Sequence, residues 1–186
     1  MAEPLFVIDP ETLRDRPADE AMARERLAEL EAAGEDGDAE RVPLLRMLGD
    51  VDGACHVGWR VLGRMGGPAD AAALAMSGVI PIDAAKAAIR LAHALHWKGD
   101  HATADDLYSA VIRTLANAAM EDDPRVPELE AFTHQHLGKL RFDQGRMDLA
   151  RFHFEHALEL RQKMGAAPDQ IESTRQALAR VAELTT

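Results

Sequence analysis

From Ala18 onward the apolar residues of this chain recur three and four positions apart, and the runs are broken by single glycines, by Gly-Asp or by Asp-Pro. A period near 3.6 places such residues on one face of a helix, whereas a strand needs them at every second position. Four glycines close helix-like runs, Gly34, Gly66, Gly99 and Gly145, at separations of 32, 33 and 46 residues. The first two separations approach one helix-turn-helix unit of about 34 residues. The third leaves room for a longer loop, and Glu121-Asp122-Asp123-Pro124-Arg125-Val126-Pro127 supplies it. Hydrophobic residues make up 47% of the chain but aromatics only 4%, and Ala and Leu dominate, so close-packed helices are the expected way to bury this surface. The expected fold class is all-α, with 186 residues forming one main domain.

Residues 1–16 stand apart as an N-terminal arm preceding a helical domain over 17–186. Leu5-Phe6-Val7-Ile8 favours an extended backbone and is bracketed by Pro4, Pro10 and Pro17. So apolar a segment is expected to dock on the helices, on its own chain or across a homodimer.

Small and large residues alternate in a specific way in the second half. Leu137-Gly138 precedes Phe142, Gly145, Ala150, Phe154 and Ala157, and Leu91-Ala92 precedes Leu95, Gly99, Ala104, Tyr108 and Val111. Small residues recur where two helices must approach and large ones where a gap must be filled. Over residues 82–184 this pattern resembles the tetratricopeptide repeat. The acidic Asp-Pro loop, and the segment from Leu158 through Gly165 to Pro168-Asp169, are similar to the longer repeats of kinesin light chains and of many bacterial repeat proteins. Upstream, Val57-Gly58, Gly66 and Ala71 fit a second unit, and Leu27-Ala28, Leu30 and Gly34 a first. A competing phase makes Gly49-Asp50 and Ala54 the turn of one early repeat. The even glycine spacing favours four units, with the helix around Pro43 starting near Arg41 because an interior proline costs about 3 kcal/mol. A last helix over about 169–184, with Ile171, Leu178, Val181 and Leu184 on one stripe, has the form of a cap. The resemblance implies a right-handed stack of about four antiparallel helix hairpins with a C-terminal capping helix.

It also implies a concave groove lined by the first helices of successive repeats. The groove positions are Lys86, Ile89, Arg90, His93 and Trp97 in the third unit and Phe132, Gln135, His136, Lys139 and Asp143 in the fourth. His56 and Trp59 come from the second unit, and Gln176 and Arg180 from the cap. Two columns emerge: His56, Arg90 and His136 in one, and Trp59, His93, Lys139 and Arg180 in the other. Basic and aromatic side chains at these positions of an acidic chain favour an extended partner segment with negative charge. Binding through His93 and His136 is expected to tighten as pH falls through about 6.5. The reading is a protein-binding or peptide-binding module, and the alternative is a small helical enzyme or sensor holding a small anion in the same groove. The Lys and Asn pairs by which such grooves clamp chaperone tails are missing, since Asn117 is the one Asn and falls late in a second helix.

Other functions find less support. Lys and Arg number 21 against 32 Asp and Glu, a formal charge of −11, which argues against a nucleic-acid partner. Cys55 alone makes neither an internal disulfide nor a thiolate zinc cage. With no apolar run near the roughly 20 residues of a membrane span, the chain is expected to be cytoplasmic and without a membrane partner. His93 with His96, and His153 with His156, are spaced to share a helix face, but the repeat pattern turns Phe154 and Ala157 inward and so sends His153 and His156 to solvent. No metal or cofactor is expected. Cys55 and His56 diverge by about 100° on a helix and cannot act as nucleophile and base, and no phosphate loop or nucleophile elbow is present, so no catalytic residue is assigned.

Overall fold

The computed structural model describes residues 6–185. Pro4 and Leu5 of the arm lie outside the described residues. Among those described, a two-stranded hairpin, β1 (Phe6–Ile8) and β2 (Asp15–Pro17), precedes nine α-helices. These are α1 (Glu20–Ala32), α2 (Asp38–Met47), α3 (Val51–Arg64), α4 (Ala71–Ser77), α5 (Ala85–Lys98), α6 (His101–Ala119), α7 (Val126–Asp143), α8 (Met147–Lys163) and α9 (Pro168–Leu184). The described residues are all-helical apart from the hairpin, and no helix among them is long and apolar enough to cross a membrane.

The five helices expected after residue 82 are α5 to α9. Before it, Gly34, Gly49 and Gly66 each lie at a break between helices, and the turn at Gly49 has the same form as the one at Gly99. Gly49 and Gly99 have φ of +91° and +88°, a conformation open to glycine at little steric cost. At both, the next residue is an aspartate whose amide returns to a carbonyl in the last turn, Asp50 N to Leu45 O at 2.9 Å and Asp100 N to Leu95 O at 3.0 Å. The same aspartates cap the following helix, accepting from Gly53 N at 2.9 Å and from Thr103 N at 3.2 Å. Ala54, Ala104 and Ala150, each five residues after its glycine, are fully buried. The helices pack in succession, α2 on α3, α3 on α5, α5 on α6, α6 on α7, α7 on α8 and α8 on α9, while α2 also reaches α5 and α5 reaches α7. The short α4, ended by Gly78, rests on α6 and lengthens the chain between α3 and α5.

Helix α2 begins at Asp38, before the expected Arg41, and carries Pro43 in its interior. Pro43 has no N–H for the carbonyl of Ala39 four residues back. Arg90 Nη1 from α5 donates to that oxygen at 2.8 Å, so an expected groove residue instead repairs the proline's break in the hydrogen-bond ladder. Asp38, its side chain 1% exposed, binds α2 to α3 by accepting from Arg60 and pairing with Arg41 and Arg64.

The main core runs from Val42 to Leu140. A second cluster joins Phe142 of α7, Ala150 and Phe154 of α8, Ala177 and Val181 of α9, and Leu13 of the loop between the strands. In that cluster the Phe154 ring lies over Gly138, where an added Cβ would meet it at 2.6 Å. We expect Gly138→Ala to overpack the α7–α8 contact and lower stability by about 1–3 kcal/mol. A denaturant midpoint equal to wild type would show that the ring moves freely aside.

Candidate functional site

The arm makes a hairpin because Asp9 organises its tip. Its Oδ1 accepts from Glu11 N at 3.0 Å and Thr12 N at 2.8 Å, and Asp9 N donates to Arg14 O at 2.8 Å. Arg16 pairs with the Asp9 carboxylate from outside. In register, Phe6 faces Pro17, Val7 faces Arg16 and Ile8 faces Asp15. Leu13 takes a left-handed backbone, φ +56°, which costs a non-glycine residue about 1–2 kcal/mol. Burial of its side chain, 1% exposed, returns about 1.5–3 kcal/mol.

This hairpin docks on its own chain, against α2, α5, α7 and α9. Asp15 Oδ2 accepts from Arg46 Nη2 of α2 at 2.8 Å, and Oδ1 from Lys139 Nζ of α7 at 2.6 Å. His93 of α5 brings Nδ1 to 4.0 Å from Asp15, and its Nε2 accepts from Trp97 Nε1 at 3.2 Å, which puts the ring proton on the nitrogen facing the carboxylate. The His136 ring of α7 stands 4.0 Å from that of His93, with Phe132 edge-on to it at 4.5 Å. The Arg46 and Arg14 guanidiniums lie 4.4 and 5.1 Å from the Trp97 ring centre. Beside them His96 Nε2 donates to Asp143 Oδ2 at 2.9 Å, and Arg14 approaches the same oxygen at 3.7 Å. From α9, Gln176 Nε2 donates to Ile8 O at 3.4 Å and Arg180 Nε to Glu11 O at 3.3 Å.

Burial opposes the Asp15 charge more than any other influence, yet Lys139 and Arg46 together hold its carboxyl well below the usual range. Burial, with Arg46 and Lys139 nearby, pushes His93 well below 6.5 and does the same to His136. Both rings are therefore neutral near pH 6.5, which removes the expected acid tightening through them. Lys139 is also lowered by burial, with Asp15 opposing.

Several expected groove residues lie elsewhere. Ile89 is fully buried in the main core and Trp59 packs against it. Gln135 accepts from Thr174 at 2.9 Å and from Arg161 at 3.2 Å, tying α7 to α8 and α9. Lys86 is exposed beside Glu128 at 3.9 Å, and His56 is exposed on α3. The expected columns thus come apart. His93, His136 and Lys139 converge, while His56, Trp59 and Arg90 do not join them. Sequence reasoning missed Arg46, since α2 was assigned to a different phase, and Asp15, whose only sign was a carboxylate in an apolar arm.

A second histidine group spans α7 and α8. His153, expected in solvent, is partly buried with Nδ1 3.1 Å from His134 Nδ1, and His156 Nε2 donates to Glu130 Oε1 at 3.1 Å. Burial, reinforced by neighbouring charge, pushes His134 down to about 4, and His153 likewise to about 4. Cys55 is buried on α3, and burial raises its thiol to about 11, far from a nucleophile's range.

Comparison with protein-family models, with curated proteins and with solved structures finds no match to this chain.

Asp15→Asn keeps the shape but leaves Arg46 and Lys139 buried against a neutral amide. We expect a loss of about 3–5 kcal/mol, read from denaturant unfolding; a change under 1 kcal/mol would mean that the cations find water without the carboxylate. The histidines set a second expectation. Unfolded imidazoles take up a proton near 6.5, and His134 and His153 only near 4, so the unfolded state binds more protons in between. Stability contributed above pH 6.5 is lost on acidification through that window, more of it through the buried His134 than through the partly buried His153. A melting temperature that is flat from pH 7 to 5 would contradict this.

Proposed function

We propose that the chain is an interaction module of tetratricopeptide-like build whose groove receives an extended acidic segment, and that the N-terminal hairpin is its resident occupant. In this reading α2 with α3, α5 with α6 and α7 with α8 are the repeat hairpins, α9 is the cap, and the phase set by Gly49 replaces the four-unit one. The first helices then present Arg46, His93, Trp97, His136 and Lys139 to one strip of surface. The observation that carries the proposal is the Asp15 carboxylate held by Arg46 and Lys139 from two different helices, at 2.8 and 2.6 Å. Two cations meet one carboxylate there, which suits a partner offering at least as much negative charge. The alternative of a small anion in the groove draws less support, since His93, His136 and Lys139 are buried beneath the hairpin.

An incoming segment has to compete with a tethered one, whose effective concentration is of millimolar order for a short linker. A labelled peptide copying residues 6–17 is the direct probe. It is expected to bind the wild-type chain weakly, and at least tenfold more tightly once Leu13→Ala loosens the hairpin while leaving Arg46 and Lys139 intact. The same peptide carrying Asp15→Asn is expected not to bind. A Leu13→Ala chain that keeps its helical spectrum, exposes its hairpin amides to exchange and still ignores the peptide would refute the reading.

A further inference from the structure

Away from the hairpin, four side chains that bind metals well gather on the outer contact of α7 and α8. Glu130 and His134 stand one turn apart on α7, and His153 and His156 one turn apart on α8. Facing helices that each project a pair of such groups inward are a recurrent way for helical proteins to build a metal centre. The geometry points to a site for one divalent transition-metal ion of the zinc class, ligated by His134, His156 and Glu130, with His153 orienting His134.

The ligand atoms of Glu130, His134 and His156 lie within 4.8 Å of one another, and His156 Nε2 is already 3.1 Å from Glu130 Oε1. Two donors on a tetrahedral zinc at about 2.0–2.1 Å are about 3.4 Å apart, so small side-chain rotations close the set. The His134 and His156 ring centres are 4.3 Å apart and those of His134 and His153 are 5.0 Å apart. Because His153 engages Nδ1 of His134, the nitrogen left for the ion is Nε2. A hydrogen bond to the other ring nitrogen is how proteins fix the tautomer and direction of a ligating imidazole. Hydrogen bonding explains the His134–His153 and His156–Glu130 pairs separately, but it gives no reason for the two pairs to meet.

The donor set selects the ion. Imidazole nitrogens with one carboxylate suit zinc, nickel or copper, whereas calcium and magnesium favour all-oxygen surroundings. His134 is 9% exposed and supplies a fixed anchor. The His156 and Glu130 side chains are each 35% exposed, which gives the ion a path in from solvent. Three protein ligands leave the fourth tetrahedral position open toward that side, as in zinc sites that bind a further ligand.

The test uses the untagged full chain, titrated with zinc by calorimetry and with cobalt by its visible absorption, with magnesium as the comparison ion. One zinc per chain, a tetrahedral cobalt spectrum and no response to magnesium are expected. His134→Ala and His156→Ala are each expected to weaken zinc binding at least tenfold. His153→Ala should weaken it by about tenfold to a hundredfold, the range for loss of an orienting partner. His56→Ala, on the exposed surface of α3, should leave binding unchanged. Zinc should also raise the melting temperature of wild type and not that of His156→Ala, whose side chain is exposed enough for removal to spare the core. Absence of one-to-one zinc binding overturns the proposal, as does binding that survives His134→Ala combined with His156→Ala.

Discussion

The Asp15 carboxylate is the charge around which the hairpin and its helices are arranged. A buried carboxylate is costly unless paired and hydrogen-bonded, and here it accepts from Arg46 of α2 and Lys139 of α7 at once. Those cations are buried too, at 4% and 4% exposure, so each depends on Asp15 as much as Asp15 depends on them. The consequence reaches beyond the three residues. Around the docked hairpin, His93 and His136 lie covered and neutral, Arg46 stacks over Trp97 and Leu13 joins the second core cluster.

Much of this was legible in the sequence where local rules and packing agree. From Ala85 onward each helix has its apolar stripe, its glycine or proline boundary and its small residue at the close approach, as with Ala104, Gly138 and Ala150. Upstream, two signals conflicted. Gly34 and Gly66, with φ of +64° and +81°, keep the even spacing, but Gly34 opens a short 3-10 turn that runs directly into α2, while Gly66 leads into the loop before α4. The turn between α2 and α3 at Gly49 carries the same Gly-Asp pair as Gly99. Its spacing from Gly99 is lengthened by α4, an insertion that periodicity cannot distinguish from a repeat helix. Pro43 misled for another reason, because the arginine that satisfies Ala39 stands 51 residues away in sequence.

The candidate site divides along the same line. That His93, His136 and Lys139 share a surface follows from helical spacing alone. That a carboxylate from the first 17 residues sits among them does not, because the strands are three residues each and carry no alternation long enough to read. Histidine position was equally ambiguous. A helix face fixed by Phe154 and Ala157 does send His153 and His156 to its flank, but α7 returns His134 and Glu130 against that flank. Solvent exposure inferred from one helix fails when the neighbouring helix is wide enough to cover its edge.

The charge balance limits how any partner could enter. The chain carries −11 overall, and three of its cations are turned inward: Arg46 and Lys139 on Asp15, and Arg161 on Gln135, Thr174 and the Gln170 carbonyl. Asp15 and Asp38 are buried as well, so the outer surface stays about as acidic as the composition suggests. An acidic segment is therefore repelled at long range, and screening within about 8–10 Å at ordinary salt does not turn repulsion into attraction. In the proposed function, selectivity would then rest on the short-range geometry of the Arg46–Lys139 pair, reached only after the hairpin lifts. Association would be slow and governed by hairpin opening, while salt would change the encounter more than the bound state, because the cations that make the contact are shielded from solvent by the same helices that place them.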